Sequence, residues 1–203
     1  MIVALVACGD VETPFPEGLE LLEDNTAPYP DGDGHPEDVA IVTGDEDDYS
    51  WGHARGWIQQ DVATVWACIR TPDVGVDRRR ISEWSVEYDT EPEYDDSYQV
   101  HEVSEEVITV EFDLAWRHGV IEGSQEEPTE TRTRWQKVEG TEYIDVLEGS
   151  GVLLDADGDT EVQLIQHLQA PLSEQADCEQ FLGDYYASLL ACSHGEALPT
   201  YDE

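Results

Sequence analysis

The chain has 203 residues, of which 48 are acidic and only nine basic, giving a formal charge of −39. Such a field repels phosphate backbones and anionic surfaces, so nucleic-acid binding is excluded, and the Arg78-Arg79-Arg80 run reads as a solvated loop. The length suits one domain with an appendage, and six Trp and nine Tyr against three Phe indicate that large amphipathic rings carry much of the burial.

Residues 1–7 are almost wholly apolar and end in Leu5-Val6-Ala7-Cys8, after which the chain turns polar and acidic. This resembles the lipobox of bacterial lipoproteins. The resemblance implies a lipid on Cys8 and a place in the bacterial cell envelope, anchored to a membrane or secreted. No Lys or Arg precedes the apolar run, and seven residues are fewer than a signal peptide needs, so residues 1–8 read as the remnant of a longer leader. No stretch reaches the roughly 18 apolar residues of a membrane-spanning helix, so any membrane link is the lipid anchor alone.

Residues 9–50 are rich in Pro, Gly, Asp and Glu, with Asp31-Gly32-Asp33-Gly34 and Asp45-Glu46-Asp47-Asp48 and little apolar periodicity. That composition predicts a self-repelling, disordered linker. Its carboxylates lack the spacing of an EF-hand loop, and so does Asp155-Ala156-Asp157-Gly158-Asp159, which reads as a hairpin turn. No metal site is expected.

The folded domain is expected over 51–197, with 198–203 as a tail. Arg55 to Gln60 reads as a strand, and Asp61 to Arg70 as a helix capped by Asp61 and stopped by Pro72. Alternation then predicts strands around Trp84–Val86–Tyr88, Tyr98–Val100, and Val107 to Trp116, whose Ile108, Val110, Phe112, Leu114 and Trp116 share one face. Thr129 to Val138 alternates again, placing Arg132 and Arg134 on an outer face where they could meet Glu111 and Asp113. Tyr143 to Leu147, Val152 to Leu154 and Thr160 to Leu168 continue the meander. Ser173 to Gly195 is a long amphipathic helix, with Phe181, Tyr185 and Leu189 in one stripe, Ser173 as N-cap and Gly195 as C-cap.

This order of strand, short helix, six or seven antiparallel strands and one long C-terminal helix resembles the START-like helix-grip superfamily. Val65-Trp66 in the first helix and Thr160-Glu161-Val162 opening the last strand add to the likeness. The superfamily includes lipid-transfer domains, polyketide cyclases and aromatases, and plant allergens. The resemblance implies an α+β fold in which a curved antiparallel sheet wraps the last helix around an apolar cavity. By that analogy Trp66, Trp84, Tyr98, Phe112, Trp116, Trp135 and Tyr143 are the candidate ligand-binding residues, each on the apolar face of its element.

If Cys8 is lipidated, Cys68, Cys178 and Cys192 remain. The last two cannot pair within one straight helix, being about 21 Å apart along its axis. Cys68 pairs with Cys178 or Cys192, and Cys192 is favoured. Catalytic motifs are absent: there is no Gly-x-Ser-x-Gly, His-Glu-x-x-His or phosphate-cradling glycine loop, and no cofactor is implied. The expected function is binding of a hydrophobic small molecule or lipid by a monomer. A structural domain with a filled core and a cyclase- or aromatase-like enzyme are the alternatives.

Overall fold

The computed structural model describes residues 10–105, 108–171 and 173–201. Eight strands form one antiparallel sheet in the order β1-β2-β8-β7-β6-β5-β4-β3. They are β1 (Val39–Asp45), β2 (Ser50–Ile58), β3 (Glu83–Tyr88), β4 (Asp96–Glu105), β5 (Thr109–Gly123), β6 (Pro128–Gly140), β7 (Val146–Ala156) and β8 (Asp159–Gln169). Two short helices, α1 (Val62–Ile69) and α2 (Pro72–Gly75), join β2 to β3, and α3 (Gln175–Ser193) closes the chain. The α+β helix-grip architecture is the one expected, with a curved sheet of eight strands rather than six or seven. Register shifts between Asp113 and Leu114 and again after Val120 interrupt the β5–β6 ladder, and such bulges bend long strands.

The helix ends follow local chemistry. Asp61 caps α1 by accepting from the Thr64 amide at 2.8 Å. In α3 the cap is Glu174 rather than Ser173, because Asp177 closes a capping box by accepting from the Glu174 amide at 2.8 Å. The Ser173 hydroxyl instead donates to the Ala170 carbonyl at 2.8 Å in the turn before the helix. At the far end Gly195 has a φ of +68°, as an αL C-cap requires.

The buried stripe of α3, Cys178, Leu182, Tyr185, Tyr186 and Leu189, packs on the inner face of β2 and its neighbours. Gly52 and Gly56 make the approach possible. A Cβ on Gly52 would lie 2.8 Å from Leu182 Cδ1, and one on Gly56 would lie 2.8 Å from the Tyr186 ring. Cys68 of α1 and Cys192 of α3 are joined by a disulfide, with Cα atoms 5.8 Å apart, which ties the first helix to the last. Cys178 is a buried free thiol that donates to the Ser50 carbonyl at 3.6 Å, and burial pushes its pKa up to about 12.

Three expectations are corrected. Cys8 and the rest of the lipobox lie outside the described residues, but most of 9–50 does not behave as a linker. Its C-terminal part is β1, paired with β2 from Val39↔Gly56 to Asp45↔Ser50. Residues 10–38 cross the outer face of the sheet as a strap. The Gln136 side chain donates to the Pro14 carbonyl at 3.1 Å, the Arg134 guanidinium to the Glu20 carbonyl at 2.6 Å, and the Asn25 amide to the Ala54 carbonyl at 2.9 Å. The Phe15 ring lies 3.8 Å from the Arg117 guanidinium. The physical reason is charge: this outer face carries Arg117, Arg134, His53 and His167, all buried in the folded chain, and an acidic segment without its own core finds partners there.

The Arg78-Arg79-Arg80 run is not a solvated loop either. Arg78 donates to Ser188 Oγ at 2.7 Å, Arg79 reaches both oxygens of Asp184 at 2.8 and 3.0 Å, and Arg80 pairs with Asp177, so the run clamps one flank of α3. Finally, Arg132 and Arg134 do not meet Glu111 and Asp113. Arg132 pairs with Glu130 at 2.9 Å and Arg134 with Glu148 at 3.8 Å, while Asp113 accepts from Gln99 at 2.8 Å and bonds His101 at 2.7 Å.

Candidate functional site

Half of the space between sheet and α3 is filled. Tyr98, Trp116 and Trp135 stand opposite one another on β4, β5 and β6, and their rings stack in a row, 5.9 Å between the first two centroids and 4.9 Å between the last two. Tyr185 of α3 meets Trp116 and Trp135 edge-on at 6.1 and 5.8 Å. Beyond this wall His118 stacks on Trp116, and Trp66 of α1 lies edge-on to His118. Burial lowers the His118 pKa to about 3, so the ring is neutral, and its Nδ1 bonds the Thr133 hydroxyl at 3.0 Å.

On the other side of the wall a cavity of about 350 Å³ opens under the N-terminal half of α3. Its walls are Val110, Phe112 and Leu114 of β5, Trp135 of β6, Tyr143 and Ile144 of the β6–β7 turn, Leu147 and Leu168, and Phe181 of α3. Ile81, Pro171 and Ile108 also line it. The volume falls at the lower end of the roughly 300–1,000 Å³ of small-molecule sites, and the lining is largely apolar with a few polar groups, as such sites are.

The candidate residues therefore divide. Phe112, Trp135 and Tyr143 line the cavity. Trp66, Tyr98 and Trp116 are buried in the solid half and do not reach it, and this corrects their assignment. Trp84 is 37% exposed on the edge strand β3, where its indole donates to Asp73 at 3.1 Å instead of facing a ligand. Edge strands have a neighbour on one side only, so the aromatic there is left at the rim of the sheet.

Two polar groups in the cavity were not singled out from sequence. Gln166 of β8 takes an inward position, and its Oε1 accepts from the Trp135 indole at 3.3 Å. Glu102 of β4 continues the inward alternation of Tyr98 and Val100 and is only 2% exposed. Its Oε1 has no hydrogen-bond partner among the described residues. Burial, with the charge of Asp77 adding to it, pushes its pKa up to about 8, so it carries a proton at neutral pH. Asp77, Arg80 and Asp177 complete the charged lining. Arg80 pairs with Asp177 and lies 3.9 Å from Asp77. The alternation signal for Glu102 was present in the sequence, but one inward acid is hard to see among 48.

His167 does not join the cavity. It sits on the outer face under the strap, bonding Glu148 at 3.4 Å and Glu23 at 3.1 Å, and Glu23 also bonds His53 at 2.8 Å. Among the described residues no three His, Cys, Asp or Glu side chains converge as a metal site.

No protein-family model matches the chain, and no curated protein matches it. Solved structures do. The human StAR-related lipid transfer protein 5 superposes with a TM-score of 0.55 at 10% identity, over 87% of this chain and 86% of that one. The human StarD13 lipid transfer and protein localization domain superposes with a TM-score of 0.53 at 10% identity, over 80% and 85%. The fold is thus the START-like helix-grip fold, shared at a level of identity that speaks to architecture alone.

Proposed function

We propose that the domain binds a hydrophobic small molecule or lipid, without chemistry, in the cavity between the sheet and the N-terminal half of α3. The observation that carries this is the apolar space bounded by Phe112, Leu114, Trp135 and Phe181, which the chain leaves unfilled although six Trp were available to plug it. Apolar burial contributes about 25 cal/mol per Å², so a chain or ring entering this space gains several kcal/mol without a polar contact. The lipid-transfer domains named above share the architecture in which such a space arises. Native mass spectrometry and organic extraction of the purified protein should recover an apolar molecule. If none copurifies and neutral apolar probes do not bind, a structural domain replaces this reading.

The protein acts, on the same proposal, as a monomer in a bacterial cell envelope, anchored through a lipid on Cys8. The Leu5-Val6-Ala7-Cys8 sequence supports this, and so does the Cys68–Cys192 bridge, since disulfides persist in oxidising compartments. Mass spectrometry of the protein expressed from its native gene should show acylated Cys8, and an unmodified residue there removes the anchor.

One observation favours a second reading, an enzyme with acid–base chemistry: the protonated Glu102 shares its cavity with Tyr143. Chemical conversion of an extracted ligand by the wild-type protein, lost in Glu102→Gln, would put that reading first.

A further inference from the structure

Glu102 is a buried carboxyl in the lining of an apolar cavity with one oxygen unpartnered, and such a group costs stability until something satisfies it. Among the described residues no cation pairs with it. Among the described lining residues the only base is Arg80, which Asp177 and Asp77 already engage. With Glu102 protonated, the two carboxylates of Asp77 and Asp177 against one guanidinium leave the lining short of positive charge. The surrounding chain, at −39, concentrates cations further and repels anions. The volume sets the size. About 350 Å³ is at the lower end of small-molecule sites, which suits one chain or a compact ring system.

Resting on the binding reading above, we infer that the ligand is an amphiphilic amine, whose amino group seats against Glu102 while its apolar part lies between Phe112, Trp135 and Phe181. A fatty acid of the same size is disfavoured, because its carboxylate would add a third negative charge to a lining with one base. An alcohol can accept one hydrogen bond from the protonated Glu102 but gains nothing from Asp77 or Asp177. The amine gains from Glu102 and from the charge of Asp77, which already acts on that carboxyl. Seating an ammonium group releases the Glu102 proton to solvent and leaves a carboxylate–ammonium pair, so charge and protons balance.

The test uses the full chain, freed of copurifying ligand, and follows displacement of neutral Nile red near neutral pH by decylamine, decanol and decanoate. Decylamine should displace the dye at least about tenfold more tightly than decanol, the lower end of what a hydrogen bond to a charged group contributes, with decanoate weakest. In Glu102→Gln the amine should fall to the level of the alcohol, while the alcohol, which can accept the same hydrogen bond from the Gln amide, is unchanged. The unchanged alcohol shows that the variant is folded, and the almost unaltered surface charge accounts for amine held outside the cavity. Decanol or decanoate matching decylamine in the wild type overturns the inference and leaves the cavity reading standing, as does an amine preference that survives in Glu102→Gln. If none of the three displaces the dye, or Nile red itself does not bind, the cavity reading falls and the inference with it.

Discussion

Glu102 and Phe112 are register partners on β4 and β5, so a carboxyl and a phenyl ring stand together on the inner face of the sheet. The phenyl belongs there; the carboxyl pays for its place. An ordinary Glu titrates near 4.5, whereas Glu102 does so at about 8. Between those values the folded chain holds a proton that the unfolded chain has lost. Stability therefore falls as pH rises through this window, and the loss is complete above about 8. Glu102→Gln removes the titration. The variant should be more stable than the wild type near neutral pH, by on the order of 3 kcal/mol at most, with the difference vanishing towards pH 4.5. His118 contributes the opposite slope, since its lowered pKa makes stability fall as pH drops below its usual range, but it is common to both proteins. Denaturant midpoints across the acid-to-neutral range decide the matter, and parallel profiles would mean that Glu102 is solvated.

The disulfide gives a second prediction. Cys68 and Cys192 are 124 residues apart in sequence, and cross-linking so long a loop restricts the unfolded chain strongly. The Cys68→Ser, Cys192→Ser double variant should lose about 2–5 kcal/mol. Non-reducing peptide mapping should recover the two cysteines as one linked pair. Cys178 should resist alkylation until the chain unfolds, because its thiol is buried and held neutral. Rapid labelling of Cys178 in the native protein would contradict the packing of α3 on β2.

The strap should respond to pH. Burial lowers the His167 pKa, but hydrogen bonds to Glu148 and Glu23 outweigh it and the net shift is upward. Glu23 shifts downward: its own burial opposes this, and its bonds to His53 and His167 prevail. The His167 contribution is therefore complete below the usual His range and lost as pH rises through the raised value. The Glu23 contribution is present above the usual Glu range and lost as pH falls through the lowered one. The strap is pinned best in mildly acid solution between these limits. Hydrogen exchange or limited proteolysis within residues 10–38 should accelerate as pH rises past the raised His167 pKa. Glu23→Gln should show fast exchange throughout, and an unchanged profile in that variant would show that the pin lies elsewhere along the strap.

Alternation and helical spacing made the inner faces legible before the structure. Val110, Phe112, Leu114 and Trp116 do point inward, and Tyr185 and Leu189 do lie in the buried stripe of α3, with Phe181 partly buried beside them. Periodicity reports a side of an element, however, and not the place along it. Phe112 and Trp116 share a face, yet one lines the cavity and the other belongs to the wall, because Tyr185 reaches the sheet only at the level of Trp116 and Trp135. The strap was illegible for another reason. Residues 10–38 have no period of their own, and their order comes from partners such as Arg134 and His53, which are more than a hundred and about thirty residues distant respectively. Composition alone describes such a segment as disordered.

The aromatic wall sets the length of the cavity, which leads to the last prediction. Trp135 is 1% exposed and lies with one face on Trp116 while its edge bounds the open space. Its ring also covers Gly149 of β7 so closely that a Cβ there would collide with it. Trp135→Leu removes ring atoms that Trp116 cannot replace, since Tyr185 and Tyr98 hold that indole in place. The cavity should lengthen towards the wall, at a cost of roughly 3 kcal/mol or more for the lost packing. Trp66→Leu supplies the comparison, because Trp66 is also buried but projects from α1 beyond the wall, edge-on to His118. Both variants should unfold at lower denaturant. Only Trp135→Leu should shift the preferred alkyl-chain length of a neutral ligand upward, measured by dye displacement with a series of primary alcohols. If the two variants shift the preference alike, ligands do not end at Trp135, and the wall is a consequence of packing rather than the boundary of a site.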